Sequence, residues 1–72
     1  MAKWNFVTRL VEVLRNYGID TWVRIGEDTI EMRFTFMDLR LERVFSVVEI
    51  ETIPDPVTMH GRRILKEFKI DV

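Results

Sequence analysis

Residues 29–36 read Thr-Ile-Glu-Met-Arg-Phe-Thr-Phe. Ile30, Met32, Phe34 and Phe36 alternate without exception with Thr29, Glu31, Arg33 and Thr35. A period of two over eight residues predicts a β-strand with one apolar face and one wet face. It is the central strand to which the flanking segments have to be fitted.

Upstream, Ile19, Thr21, Val23 and Ile25 alternate with Asp20, Trp22 and Arg24, and Gly26-Glu27-Asp28 supplies a turn. Inward residues must oppose inward residues, because a slip of one residue reverses every side chain. That parity predicts Ile25 opposite Ile30 and Val23 opposite Met32. On the outer face it sets Arg24 beside Glu31, an opposite-charge pair, and Trp22 beside Arg33, a cation–π pair.

Downstream, Met37-Asp38 is the next break, and Leu39 to Ile53 reads as a long third strand rich in β-branched residues. A direct return puts Phe36 opposite Leu39 and Phe34 opposite Leu41. It also turns Arg43 inward opposite Met32, a poor fit that a bulge or bend between Arg43 and Val48 would repair. A competing helix from Leu39 to about Val48 has Leu41, Val44, Phe45 and Val48 on one stripe but leaves Val47 and Ile50 off it, so the strand is preferred.

The ends of the chain are helical in pattern. Over residues 3–17, Trp4, Phe6, Val7, Leu10, Val11, Val13, Leu14 and Tyr17 occupy one half of a helical wheel, and polar residues occupy the other. Gly18 is placed to end that helix in the left-handed conformation. Asp55-Pro56 is a helix start, a capping acceptor followed by proline at the first helical position. Val57, Gly61, Ile64, Leu65 and Phe68 then share one face, on which Gly61 would permit close backbone approach. The alternative for this segment is a strand from Arg63 to Val72 with Ile64, Phe68, Ile70 and Val72 inward; Lys66 would spoil its inner face, so the helix is preferred. The expected fold is a single α+β domain over residues 1–72: an N-terminal amphipathic helix on a three-stranded antiparallel meander, then a C-terminal helix, in the order αβββα.

Seventy-two residues, 47% of them hydrophobic and 32% charged, suit one folded domain with a small core. With no cysteine, disulfides and thiolate zinc sites are excluded, and one histidine rules out a histidine metal cluster within the chain. Added stability would come from a partner or a second copy. A net charge of −1 argues against a general electrostatic grip on nucleic acid or anionic membrane. Eight of the eleven basic residues are arginine, however, and arginine favours planar, stacked contacts. No apolar run is long enough to span a bilayer, and the N-terminus has no uninterrupted hydrophobic region of secretory type. A cytoplasmic protein, or one made by a virus in its host's cytoplasm, fits this pattern.

No residues assemble into a recognisable catalytic set. Ser46, the one serine, lies in the valine-rich stretch far in sequence from His60. Glu49, Glu51, Asp55 and His60 match no metal spacing, and His60 near a helix start reads as a surface residue. The scattered glycines form no phosphate loop. No cofactor or metal is expected, and no enzymatic activity. Arg62, Arg63, Lys66 and Lys69 make an ordinary solvated helix face or a contact for an acidic partner.

Two surfaces stand out. The outer sheet face carries Trp22, Arg24, Arg33 and Arg40 interspersed with Glu31 and Glu42, a candidate interaction face of residue types enriched at interface hot spots. The margin of the first helix around Trp4, Phe6 and Val13 is a candidate dimer or partner edge. The expected function is therefore a small non-enzymatic protein-interaction module: a homodimer, or an inhibitor or adaptor of the kind phages and mobile elements encode. The alternative is a single-stranded nucleic-acid binder in which bases stack on the Arg/Trp face, against which the interspersed acids count.

Overall fold

A computed structural model describes residues 1–71 of the chain; Val72, which the alternative C-terminal strand would turn inward, lies outside the described residues. The order of elements is α1 (Lys3–Arg15), β1 (Asp20–Ile25), β2 (Thr29–Phe36), β3 (Leu39–Ser46), α2 (Val47–Thr52) and α3 (Pro56–Glu67). The three strands form one antiparallel sheet in sequence order. The αβββα architecture read from the sequence is the one present, with a short additional helix after β3.

The register is the one that side-chain parity dictates. Ile25 opposes Ile30, Val23 opposes Met32, Trp22 opposes Arg33 and Arg24 opposes Glu31. Across the second hairpin, Phe36 opposes Leu39 and Met32 opposes Arg43. The inner face buries Ile30, Met32, Phe34 and Phe45 against Phe6, Val7, Leu10 and Leu14 of α1 and Val57, Ile64 and Leu65 of α3. α1 packs on both β1 and α3. α3 reaches the sheet through Phe68 just past its end, whose ring centroid stands 5.8 Å from that of Phe36. Lys3 ties the start of α1 to the first hairpin, its Nζ donating to the Gly26 carbonyl at 3.1 Å.

The third strand departs from expectation in two ways. Its ladder runs unbroken from Phe36–Leu39 to Thr29–Ser46, with no bulge after Arg43. Arg43 is tolerated on the inner side because β3 is an edge strand. Its guanidinium escapes to the rim, pairs with Glu67 of α3, and donates from Nη1 to the Glu42 carbonyl at 2.8 Å. The strand also stops at Ser46 rather than continuing to Ile53, and Val47–Thr52 is helical. The cause lies in the neighbour. β2 begins at Thr29, so beyond Ser46 the ladder has no partner. The last contact is the Val47 N–H on the Asp28 carbonyl, at 2.9 Å. Released from the sheet, the chain coils so that Val47 and Ile50, three residues apart, both enter the core. These are the two residues that lie off the stripe of the competing Leu39–Val48 helix.

Both long helices end alike. After α1 the Gly18 N–H bonds the Arg15 carbonyl at 2.9 Å and the Ile19 N–H bonds the Leu14 carbonyl at 3.1 Å. After α3 the Lys69 N–H bonds Lys66 at 3.0 Å and the Ile70 N–H bonds Leu65 at 2.9 Å. This paired bonding needs a left-handed residue at its centre. Gly18 takes φ +80 without penalty, whereas Lys69 is held at φ +59, where a side chain costs an L-residue about 1 kcal/mol. Lys69→Gly is therefore expected to raise stability by about 0.5–1 kcal/mol, and Gly18→Ala to lower it by about 1 kcal/mol. Urea titrations of the two variants check the pair; a Lys69→Gly midpoint at or below that of the wild type would count against the relief of strain.

At the other end of α3 the expected start is in place. Asp55 caps the helix, its Oδ1 accepting from the Thr58 N–H at 3.3 Å, with Pro56 in the first turn. Hydrogen bonding from Thr58 holds the Asp55 carboxyl below its usual range, although the group is fully exposed. Gly61 is buried against α1, but a Cβ there would stand 3.6 Å from Leu10 Cδ1, an ordinary contact. Close helix approach is therefore not what requires glycine at this position.

Candidate functional site

Strand alternation builds the outer sheet face. Every second residue of the three strands emerges on it, and the register stacks them in rows. The middle row is Trp22–Arg33–Glu42. The Arg33 guanidinium carbon lies 4.4 Å from the centre of the Trp22 ring, and Arg33 Nε lies 3.4 Å from Glu42 Oε1. Trp22 remains 45% exposed, so its indole is held flat against a cation while much of its surface stays open. A cation–π contact at an exposed site contributes about 0.5–1 kcal/mol, enough to favour one orientation of the ring. The row at one end is Asp20–Thr35–Arg40, and the row at the other is Arg24–Glu31–Val44. Asp20, Trp22, Arg33 and Arg40 border a shallow depression of about 350 Å³.

All four residues of the expected interaction face therefore share one surface. Arg24 and Glu31 are cross-strand neighbours without an ion pair; among the described residues the ion pairs are Arg33–Glu42 and Arg43–Glu67. Val44 also belongs to this face, unexpectedly for an apolar residue. It is exposed there opposite Glu31, and the parity that set Glu42 outward also sets Val44 outward.

The expected α1 edge does not survive. Phe6 is 0% exposed, its ring edge-on to Phe45 at 5.4 Å between centroids, and it belongs to the core. Trp4 is 64% exposed and Val13 partly so. Nine residues at 100° each set them half a turn apart. Val13 borders α3 near Gly61 and Leu65, and Trp4 lies at the opposite margin of the helix. The three residues form no common patch.

His60, expected at the surface, is 9% exposed and packs against the rings of Phe45 and Phe6, with centroids 4.7 and 5.9 Å away. Its Nε2 is buried without a hydrogen-bond partner. Burial pushes its pKa down, Arg63 pushes it further the same way, and Glu49 opposes them. The signal was available, since His60 lies three residues after Val57 and four before Ile64, on the apolar stripe of α3. Arg43, Glu49, His60, Arg63 and Glu67 surround a cleft of about 270 Å³ between β3 and α3.

The residues around this cleft do not complete a metal-binding set. Ser46 stays exposed at the end of β3 and takes no part in the cleft. Glu49 and Glu51 lie on α2, not on a strand face. Among the described residues no three of histidine, aspartate and glutamate converge to hold a metal ion. Arg62, Arg63, Lys66 and Lys69 are exposed on or just after α3. No helix among the described residues is long and apolar enough to cross a membrane. The chain matches no family model, no curated protein sequence and no solved structure.

Proposed function

We propose that this protein is a non-enzymatic interaction module of the cell interior that binds a protein partner through the outer face of its sheet. The observation that carries this reading is the middle row. Trp22 is nearly half exposed, oriented by Arg33, which is itself held by Glu42. A flat aromatic surface with little freedom left to lose, ringed by arginines and acids, suits a protein surface of mixed charge. Asp20, Glu31 and Glu42 on the same face would repel a phosphate backbone, which ranks single-stranded nucleic acid second.

The test is affinity capture from cell extract with three baits: the wild type, Trp22→Ser and Trp4→Ser. The expected result is a protein retained in stoichiometric amount by the wild type and by Trp4→Ser, and at least about tenfold less by Trp22→Ser, as for an interface hot spot worth about 2 kcal/mol. Equal capture by all three baits would sink the proposal. Titration with mixed-sequence single-stranded RNA and DNA, read by tryptophan fluorescence, is expected to give no binding. Salt-sensitive binding lost in Trp22→Ser and Arg33→Ala would replace a protein partner with nucleic acid.

A further inference from the structure

The outer edge of β1 is unpartnered. The sheet order leaves β1 at one margin. Among the described residues its backbone groups bond only to β2, since no other backbone bond involves residues 20–25. The strand carries Asp20 and Arg24 on its outer face but has no proline, no bulge and no inward charge to guard its edge. Its inward residues Thr21, Val23 and Ile25 are only half-buried, so the apolar layer is incomplete along this margin.

The residues along this edge are arranged to complement themselves. When a strand pairs antiparallel with a copy of itself and keeps both faces in phase, the two-fold axis must pass between one residue and its own copy. Centred on Trp22, the pairing sets Trp22 beside the second copy's Trp22 and Thr21 beside its Val23. It also sets Asp20 beside the second copy's Arg24, and this pair occurs twice. Moving the centre to Val23 keeps the faces in phase but leaves Asp20 without a basic neighbour. The other margin is less suited. On β3, centring on Glu42 or Arg43 opposes like charges. Centring on Leu41 also gives two opposite-charge pairs, Arg40 beside the second copy's Glu42, but Glu42 is already paired with Arg33, and Leu39 is set against Arg43, already bound to Glu67.

We propose that β1 pairs with the β1 strand of a second copy of this chain, centred on Trp22, to form a continuous six-stranded sheet. The outer face would then carry one unbroken row, Glu42–Arg33–Trp22 meeting its symmetry mate at the centre. The occupant is argued from charge complementarity within a single strand, and the inference stands whether or not the outer face binds a separate partner.

Charge reversal tests both the dimer and its register. Asp20→Arg and Arg24→Asp each turn two attractive cross-strand pairs into two repulsive ones, for about tenfold or greater weakening of self-association. A mixture of the two variants restores both pairs. Sedimentation equilibrium over a concentration series is expected to show a wild-type monomer–dimer equilibrium, weakened association for each variant alone, and recovered association for their equimolar mixture. Far-UV circular dichroism confirms folding. If Arg24→Asp unfolds beside Glu31, the same reversal in a Glu31→Gln background takes its place. A wild type that stays monomeric throughout, or a dimer indifferent to both reversals, would overturn the proposal. Weakening without recovery in the mixture would overturn the Trp22-centred register and, with it, the proposal.

Discussion

Phe6→Ala is expected to cost about 3–5 kcal/mol of stability at 25 °C. Phe6 is completely buried where α1 meets β3 and α3, with Phe45 and His60 packed edge-on against its ring. Removing such a ring loses its transfer free energy and leaves a cavity that the surroundings fill only in part, a combined cost of about 3–5 kcal/mol. A domain of this size is stable by roughly 4–11 kcal/mol in total, so the loss takes most or all of the lower part of that range. Trp4, two residues earlier on the same helix, gives the contrast. It is the larger side chain, yet it faces solvent, and Trp4→Ala is expected to change stability by about 0.5 kcal/mol or less. Urea unfolding followed by circular dichroism measures both. A Phe6→Ala protein with the wild-type midpoint would show that the core is not organised around this ring.

Stability is also expected to fall as the pH drops below about 6.5, because of His60. In the unfolded chain the imidazole takes up its proton near the ordinary histidine value of 6.5. In the folded protein burial and Arg63 push that pKa down, against a weaker pull from Glu49. Below 6.5 the unfolded state therefore binds more protons than the folded state, and stability rises with pH in that window. The contribution is complete above 6.5 and is lost as the pH falls toward and through the lowered folded value. The charges around the ring come from three elements: Arg43 of β3, Glu49 of α2, and Arg63 and Glu67 of α3. The Asp55 carboxyl has the same sign of dependence, but its lowered pKa places its loss below the ordinary value of 3.8.

His60→Phe isolates the histidine contribution. With no unpartnered Nε2 to bury, the variant is expected to be about 1 kcal/mol more stable than the wild type at pH 7.5. Its advantage should widen as the pH is lowered to 5. Urea midpoints of the two proteins at pH 7.5, 6.5 and 5 decide the matter. A constant difference between them across that range would mean that His60 titrates alike in the folded and unfolded chains.

Trp22 and Arg33 are brought together by register alone. Strand alternation has a fixed period, and one buried face allows only one parity. The pairing of β1 with β2 and the row Trp22–Arg33–Glu42 could therefore be written down from the order of residues. The α1 margin was harder to read, because a helical wheel gives angles but not neighbours. Val13 and Trp4 bound the same apolar half, and only the placement of α3 decides that Val13 is partly covered and Trp4 is not. Phe6 lies 20° from Val13 on that wheel but nearly two turns away along the axis, where the rings of Phe45 and His60 pack against it, and so is wholly enclosed.

By itself the sequence determined what depends on neighbours along the chain: the alternating strands and their parity, the amphipathic α1 and α3, the Gly18 stop, and the Asp55-Pro56 start. The tertiary structure decided what depends on whether a partner is present. Val47–Thr52 has the β-branched composition of a strand, yet it is helical because β2 supplies no partner beyond Thr29. Arg43 stays on the inner side because Glu67, twenty-four residues on, is there to meet it at the rim. His60 is buried because Phe6 and Phe45 close over it. Hydrogen-bond ladders and core contacts form between segments distant in sequence, and no local pattern records where one of them runs out.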